Sequence, residues 1–87
     1  MAKYSLVFKK SVAKDLRKIP NNDVEKIINK INSLKINPRA YGCIKLSNQN
    51  RYRTRQGLYR ILYEIKDVQL VVHVVKIAHR QQAYSNL

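Results

Sequence analysis

The sequence predicts an α+β fold: an N-terminal strand, an antiparallel helical hairpin, then a three-stranded antiparallel meander, all building a single sheet. Three observations carry this. Apolar residues alternate over 3–8, recur at helical spacing over 9–34, and alternate again from 51 to 77. A prolyl residue follows each helical stretch, Pro20 and Pro38. Two amphipathic helices need an apolar sheet face to cover, so both belong on one side of the sheet.

The elements follow in order. In KYSLVF, Tyr4, Leu6 and Phe8 share one face of a first strand. Over residues 9–19, Val12, Leu16 and Ile19 form an apolar stripe, while Lys9, Lys10, Lys14, Arg17 and Lys18 face water. Pro20 closes that helix, and Asn21, Asn22 and Asp23 are capping candidates for the next. There Val24, Ile27, Ile28, Ile31 and Leu34 give the clearest periodicity in the chain. Only two or three residues separate the helices, which makes them a hairpin. Residues 37–50 read as a loop with a short strand at Ile44 to Leu46. Strands are then expected at about 51–55, 58–66 and 69–77, with turns at Gln56-Gly57 and Lys66-Asp67-Val68. The last strand, LVVHVVKI, is apolar on both faces and belongs in the sheet centre.

At 87 residues the chain is expected to form one domain, 1–87. Folding buries roughly 60% of the unfolded surface at this size, so a partner that covers more of it adds useful stability. Charge is the stronger constraint. Eighteen Lys and Arg against five Asp and Glu give +13, with a pI near 10.3. That balance points to nucleic acid, ahead of an anionic membrane or an acidic protein. The lone Cys43 excludes an internal disulfide, and with two His it offers no metal-ligand spacing. No signal-peptide-like run opens the chain, and the apolar stretch around Leu70 to Val75 is too short to span a membrane. A cytoplasmic protein without cofactor is expected.

Two glycines provide no phosphate-cradling loop, and no pair of carboxylates stands out. What remains is basic and aromatic: Arg51, Arg53, Arg55, Arg60, His79, Arg80 and Tyr84. Arg51, Arg53 and Arg55 alternate and therefore share a strand face; Leu58, Arg60, Leu62 and Glu64 share a face of the next strand. Guanidinium groups on neighbouring strands suit phosphates, and tyrosines suit bases. On RNA such a set can do chemistry, because the 2′-hydroxyl is a nucleophile already tethered beside its phosphorus. The protein must align it, stabilise charge on the phosphoryl oxygens and protonate the leaving 5′-oxygen, which needs no metal. Simpler roles compete at each position. Arg51, Arg53 and Arg55 also fit the solvated face of an edge strand, Arg51 most readily. Arg60 is either functional or paired with Glu64 or another acid. His73, Tyr59, Tyr63 and Cys43 fit the core, and the lysines of the first helix fit a solubilising face.

From Tyr52 to Tyr84 the pattern YR-R-G-YRILYEI, then VVKIAHR and a tyrosine four residues on, resembles the RelE/ParE superfamily of bacterial toxins. The N-terminal strand, the helical hairpin and the loop with Gly42, Cys43, Lys45 and Leu46 fit too, so the resemblance covers essentially the whole chain. The closing HR and tyrosine lean toward the RelE branch. The resemblance implies the toxin of a type II toxin–antitoxin system, acting as a ribosome-dependent mRNA endoribonuclease. It implies a cognate antitoxin, in a heterotetrameric or similar complex, and the ribosome and mRNA as partners. Arg53 and Arg55 match basic residues that activate the 2′-hydroxyl or stabilise the phosphate, Arg60 a phosphate-binding arginine, Arg80 an arginine for the leaving group or transition state, and Tyr84 a base-stacking tyrosine. One departure stands out: the best-known enzyme has lysines where this chain has Arg53 and Arg55. An arginine does not act as a base. Proton abstraction then falls to His79, Tyr84, water or ribosomal RNA, with His79 favoured. A ParE-like toxin acting on DNA gyrase without cutting RNA, and a basic RNA-binding module without catalysis, are the alternatives.

Overall fold

The computed structural model describes residues 3–46 and 50–80. Seven elements run in the order β1 (Ser5–Phe8), α1 (Lys10–Arg17), α2 (Asn21–Ser33), β2 (Ile44–Lys45), β3 (Arg51–Gln56), β4 (Tyr59–Lys66) and β5 (Val71–His79). They build the expected α+β architecture on one five-stranded sheet, ordered β1-β5-β4-β3-β2. β2 to β5 form an antiparallel meander: the three expected strands, preceded by the short strand expected near Ile44, which spans Ile44–Lys45. β1 returns beside β5 and pairs with it in parallel, Ser5 opposite Val71 through Phe8 opposite Val74. β5 thus lies inside the sheet, as its apolar sequence requires.

The helices form where the apolar period changes. Their buried residues Val12, Ile27 and Ile31, with Leu34 at the C-cap of α2, join Tyr52, Ile61, Tyr63, Ile65, Val72, Val74 and Ile77 of the sheet in one core. Ile61, Tyr63 and Ile65 of β4 are fully shielded, which fixes the register of that strand. The expected asparagine caps of α2 are not used. Pro20 takes the N-cap with extended backbone (φ −56°, ψ 144°), and no side chain caps the helix. Proline's fixed φ suits that position, so Asn21 and Asn22 fall inside the first turn and Asp23 faces the positive end of the helix dipole.

The turns lie slightly later than expected. Gly57 adopts φ +60° in the β3–β4 turn, and Leu70 adopts φ +56° before β5, which runs two residues past its expected end. The larger difference is a β-bulge. Leu62 pairs with Lys76 but Tyr63 pairs with Val74, so Val75 is the extra residue. Strict alternation would send Lys76 into the core with Val72 and Val74. The bulge resets the phase: Lys76 turns outward and Ile77 becomes buried.

A polar tie closes one end of the sheet. Arg39, in the α2–β2 loop, donates through both terminal nitrogens to Asp67 at 3.0 and 2.8 Å and through Nε to the Tyr52 hydroxyl at 3.1 Å. Tyr4 donates to the same carboxylate at 2.9 Å. Tyr52 stacks on Tyr63, whose buried hydroxyl donates to the Pro38 carbonyl at 2.6 Å. Burial, then a hydrogen bond with Cys43, raises the Tyr63 hydroxyl well above the ordinary tyrosine range. Cys43 packs against the core, as expected.

Candidate nucleic-acid interface

The helices cover one face of the sheet. The other carries the arginines, and cross-strand register arranges them in rows. Arg55 of β3 stands opposite Arg60 of β4, which stands opposite Ala78 of β5. The next row is Arg53, Leu62 and Lys76. The third is Arg51, Glu64 and His73, extended by Val7 of β1. Alternation along β3 and β4 makes this a single surface, with Tyr52, Thr54, Ile61 and Tyr63 turned the opposite way into buried positions.

The first row places two arginines directly opposite each other. Side chains directly opposite on antiparallel strands approach within about 4.5–5.5 Å at Cβ, and like charges there destabilise the pair. Arg55 is exposed while Arg60 is only 5% exposed. A concentration of guanidinium charge so close to a buried position is favourable when an anion binds between the groups.

Among the sequence candidates, Arg53, Arg55 and Arg60 are therefore brought together. Arg80 ends the described segment; its amide donates to the Leu58 carbonyl at 2.7 Å, which continues the β4–β5 ladder and keeps it at the Arg60 end of the sheet. Tyr84 lies outside the described residues. His79 pairs with Tyr59 and meets its ring edge-on, centroids 5.5 Å apart. That register sets it on the helix-facing side, away from the arginine rows.

Two residues appear where the sequence reading did not use them. His73, expected in the core, lies on the arginine face because Val72 and Val74 take the buried positions on either side. Its Nδ1 is 3.7 Å from Glu64 Oε1, and Arg51 holds Glu64 Oε2 at 2.9 Å. Glu64 is thereby kept below the ordinary carboxylate range, chiefly by the Arg51 hydrogen bond. Lys76 also reaches this face through the bulge and lies 3.8 Å from Asp15 of α1. Asp15 accepts the Ile77 amide at 3.1 Å and so seals β5 where β1 has ended. The shared face of Arg60, Leu62 and Glu64 was legible from alternation; the outward turn of Lys76 was not.

Among the described residues no three His, Cys, Asp or Glu lie together as a metal site, and no helix is long and apolar enough to cross a membrane. A small strand–helix–helix–meander fold with a basic open sheet face is the plan of one class of bacterial and archaeal toxins. The chain belongs to that class: residues 6–84 match the family of ParE toxins of type II toxin–antitoxin systems. It is 30% identical to the protein named RelE1 of Methanocaldococcus jannaschii over 97% of this chain and 98% of that one. Its fold superposes on the RelBE2 toxin–antitoxin complex of Mycobacterium tuberculosis (TM-score 0.80, 25% identity, 92% of this chain and 94% of that one). The archaeal RelE–RelB complex of Pyrococcus horikoshii is similarly close (TM-score 0.79, 25% identity, 90% and 96%). The chain is a RelE/ParE superfamily toxin.

Proposed function

We propose that this toxin is a ribosome-dependent endoribonuclease that cuts mRNA by attack of a 2′-hydroxyl on the adjacent phosphorus. The oxygen–phosphorus bond forms as the bond to the 5′-oxygen breaks, leaving a 2′,3′-cyclic phosphate and a 5′-hydroxyl. The observation that carries this reading is the juxtaposition of Arg53, Arg55 and Arg60 on the sheet face away from the helices, Arg55 exposed and Arg60 buried beside it. Donors fixed by a sheet are preorganised, so they stabilise charge on the phosphoryl oxygens without reorganising at the moment of reaction. Arg80 supplies charge toward the leaving oxygen, and Tyr84 stacks on the base.

The base that removes the 2′-hydroxyl proton is proposed to be His79, acting from the end of β5 beside Arg80. Because its ring faces Tyr59, substrate must pass around the end of the sheet to meet it, or ribosomal RNA or water takes that part. A His79→Ala toxin that cuts at the normal rate across pH removes His79 from the mechanism.

A cognate antitoxin neutralises the toxin in this reading, as RelB accompanies the solved relatives. An acidic, amphipathic segment that folds on binding complements the +13 charge. The test is a translation extract with one defined mRNA. Cuts at codons in the ribosomal A site with 5′-hydroxyl ends are expected, and Arg55→Ala should lower their rate by about 10²–10³, the scale of one lost transition-state donor. Intact mRNA with gyrase-dependent DNA breaks would replace this reading with the ParE-like one. Salt-sensitive RNA binding without cuts would leave a non-catalytic binding module.

A further inference from the structure

The third row of the open face forms a recess separate from the Arg55–Arg60 row. Its volume is about 350 Å³, its floor is Leu62 and Val75, and its rim is Lys9, Arg51, Glu64, His73 and Lys76. Four potential cations thus surround one carboxylate. The arrangement around that carboxylate is specific. Arg51 approaches one Glu64 oxygen at 2.9 Å and His73 approaches the other at 3.7 Å, from strands on opposite sides of β4. A guanidinium and an imidazole converging on two oxygens of one anion is also the geometry that receives a phosphate. The half-buried apolar floor is the kind of surface on which a ribose or base rests.

We propose that this recess is an additional RNA-phosphate seat, and that Glu64 is its resident competitor, holding Arg51 and His73 until a phosphate of the bound strand displaces the carboxylate. The proposal rests on the RNA-binding reading above and extends it by a subsite. The groups around it allow the exchange. Arg51 and Glu64 side chains are 43% and 28% exposed, so this part-buried pair is within reach of solvent and of an incoming phosphate that can take the carboxylate's place. Lys9 and Lys76 remain on the rim to hold an incoming phosphate, Lys76 being shared with Asp15. A seat blocked by its own carboxylate lowers affinity for any RNA passing along the sheet. It favours strands pressed into place by a larger assembly.

The test measures binding of a short single-stranded 2′-O-methyl RNA, which lacks the nucleophile, to the full chain over a range of salt. Glu64→Gln keeps the side-chain shape and removes the competing charge. It should steepen the dependence of log affinity on log salt by about 0.7, one phosphate on a single strand, and tighten binding at low salt by about three- to tenfold. Adding Arg51→Ala to Glu64→Gln should abolish the gain. Glu25→Gln, which removes the same charge from α2, should change neither slope nor affinity. Adding Lys9→Gln to Glu64→Gln should likewise make the slope shallower by about 0.7, which tests the rim of the seat without touching Arg51. The proposal is overturned if Glu64→Gln binds as the native chain does, or if Glu25→Gln reproduces the Glu64→Gln gain. If native binding responds to Arg55→Ala while Glu64→Gln is silent, the extra seat alone falls. If the native chain shows no salt-dependent RNA binding, the RNA reading falls with it.

Discussion

The two faces of β4 are made by the same eight residues and serve opposite ends. Toward the helices, Ile61, Tyr63 and Ile65 are fully buried and hold the fold together. Toward the open side, Arg60, Leu62 and Glu64 sit in cross-strand rows with Arg55, Arg53 and Arg51. The difference shows where the molecule concentrates stability and where it gives some up. The helix-facing side follows every rule for a core. The open side sets Arg55 directly opposite Arg60, an arrangement suited to binding an anion.

The sharpest way to break this comparison is to exchange the consequences of one substitution on each face. Ile61→Ala removes most of a fully shielded side chain and should cost about 2–5 kcal/mol in chemical denaturation. RNA cleavage per folded molecule should be unaltered. Arg55→Ala should do the reverse, with the denaturation midpoint held or slightly raised, because the like-charge pair with Arg60 is relieved. A marked loss of stability in Arg55→Ala would mean that the arginine rows contribute to the fold and that the division between faces is wrong.

Tyr63→Phe sharpens the core side. The ring and its stack on Tyr52 remain, but the Pro38 carbonyl loses its donor in a buried setting. A loss of about 1–3 kcal/mol is expected, with cleavage per folded molecule unchanged. Equal stability of the two proteins would show that water replaces the hydroxyl and that the loop after α2 is held by other contacts.

Much of this architecture was legible because period and burial coincide. Alternation in YRTRQ and YRILYEI put the arginines on one face and the core on the other, and the helical stripes required that core. Three features depend on long-range geometry that local patterns do not encode. The parallel pairing of β1 with β5 joins segments more than sixty residues apart. The bulge at Val75 exchanges the faces of Lys76 and Ile77, so period-2 reasoning fails just where the recess forms. His73, read as a core residue from its apolar neighbours, faces outward because those neighbours are the buried ones. The proposed catalytic roles rest on resemblance. His79 shows the limit of that route: its sequence position beside Arg80 is favourable, while the register turns it to Tyr59.

The smallest expected effect concerns the two carboxylates, one at the closing tie and one on the open face. Asp67 lies below its ordinary range chiefly through Arg39, and then through Tyr4. Glu64 is lowered chiefly through Arg51. A carboxylate whose folded-state pKa is depressed adds stability that is fully present above its unfolded value, near 4, and that disappears as pH falls through the folded value. Both should therefore make the toxin less stable in acid, below about pH 4 and not near neutrality. They differ in what they join. Arg51 and Glu64 are already cross-strand neighbours, whereas Asp67 connects the β4–β5 turn to Tyr4 and to the α2–β2 loop. Asp67→Asn should flatten the fall in melting temperature between pH 5 and lower pH, and the difference from the native chain should shrink in high salt because the pair is half-exposed. Superimposable pH profiles would mean that Arg39 and Asp67 do not hold each other in solution, leaving Tyr63 and Pro38 as the contact that fixes the loop to the sheet.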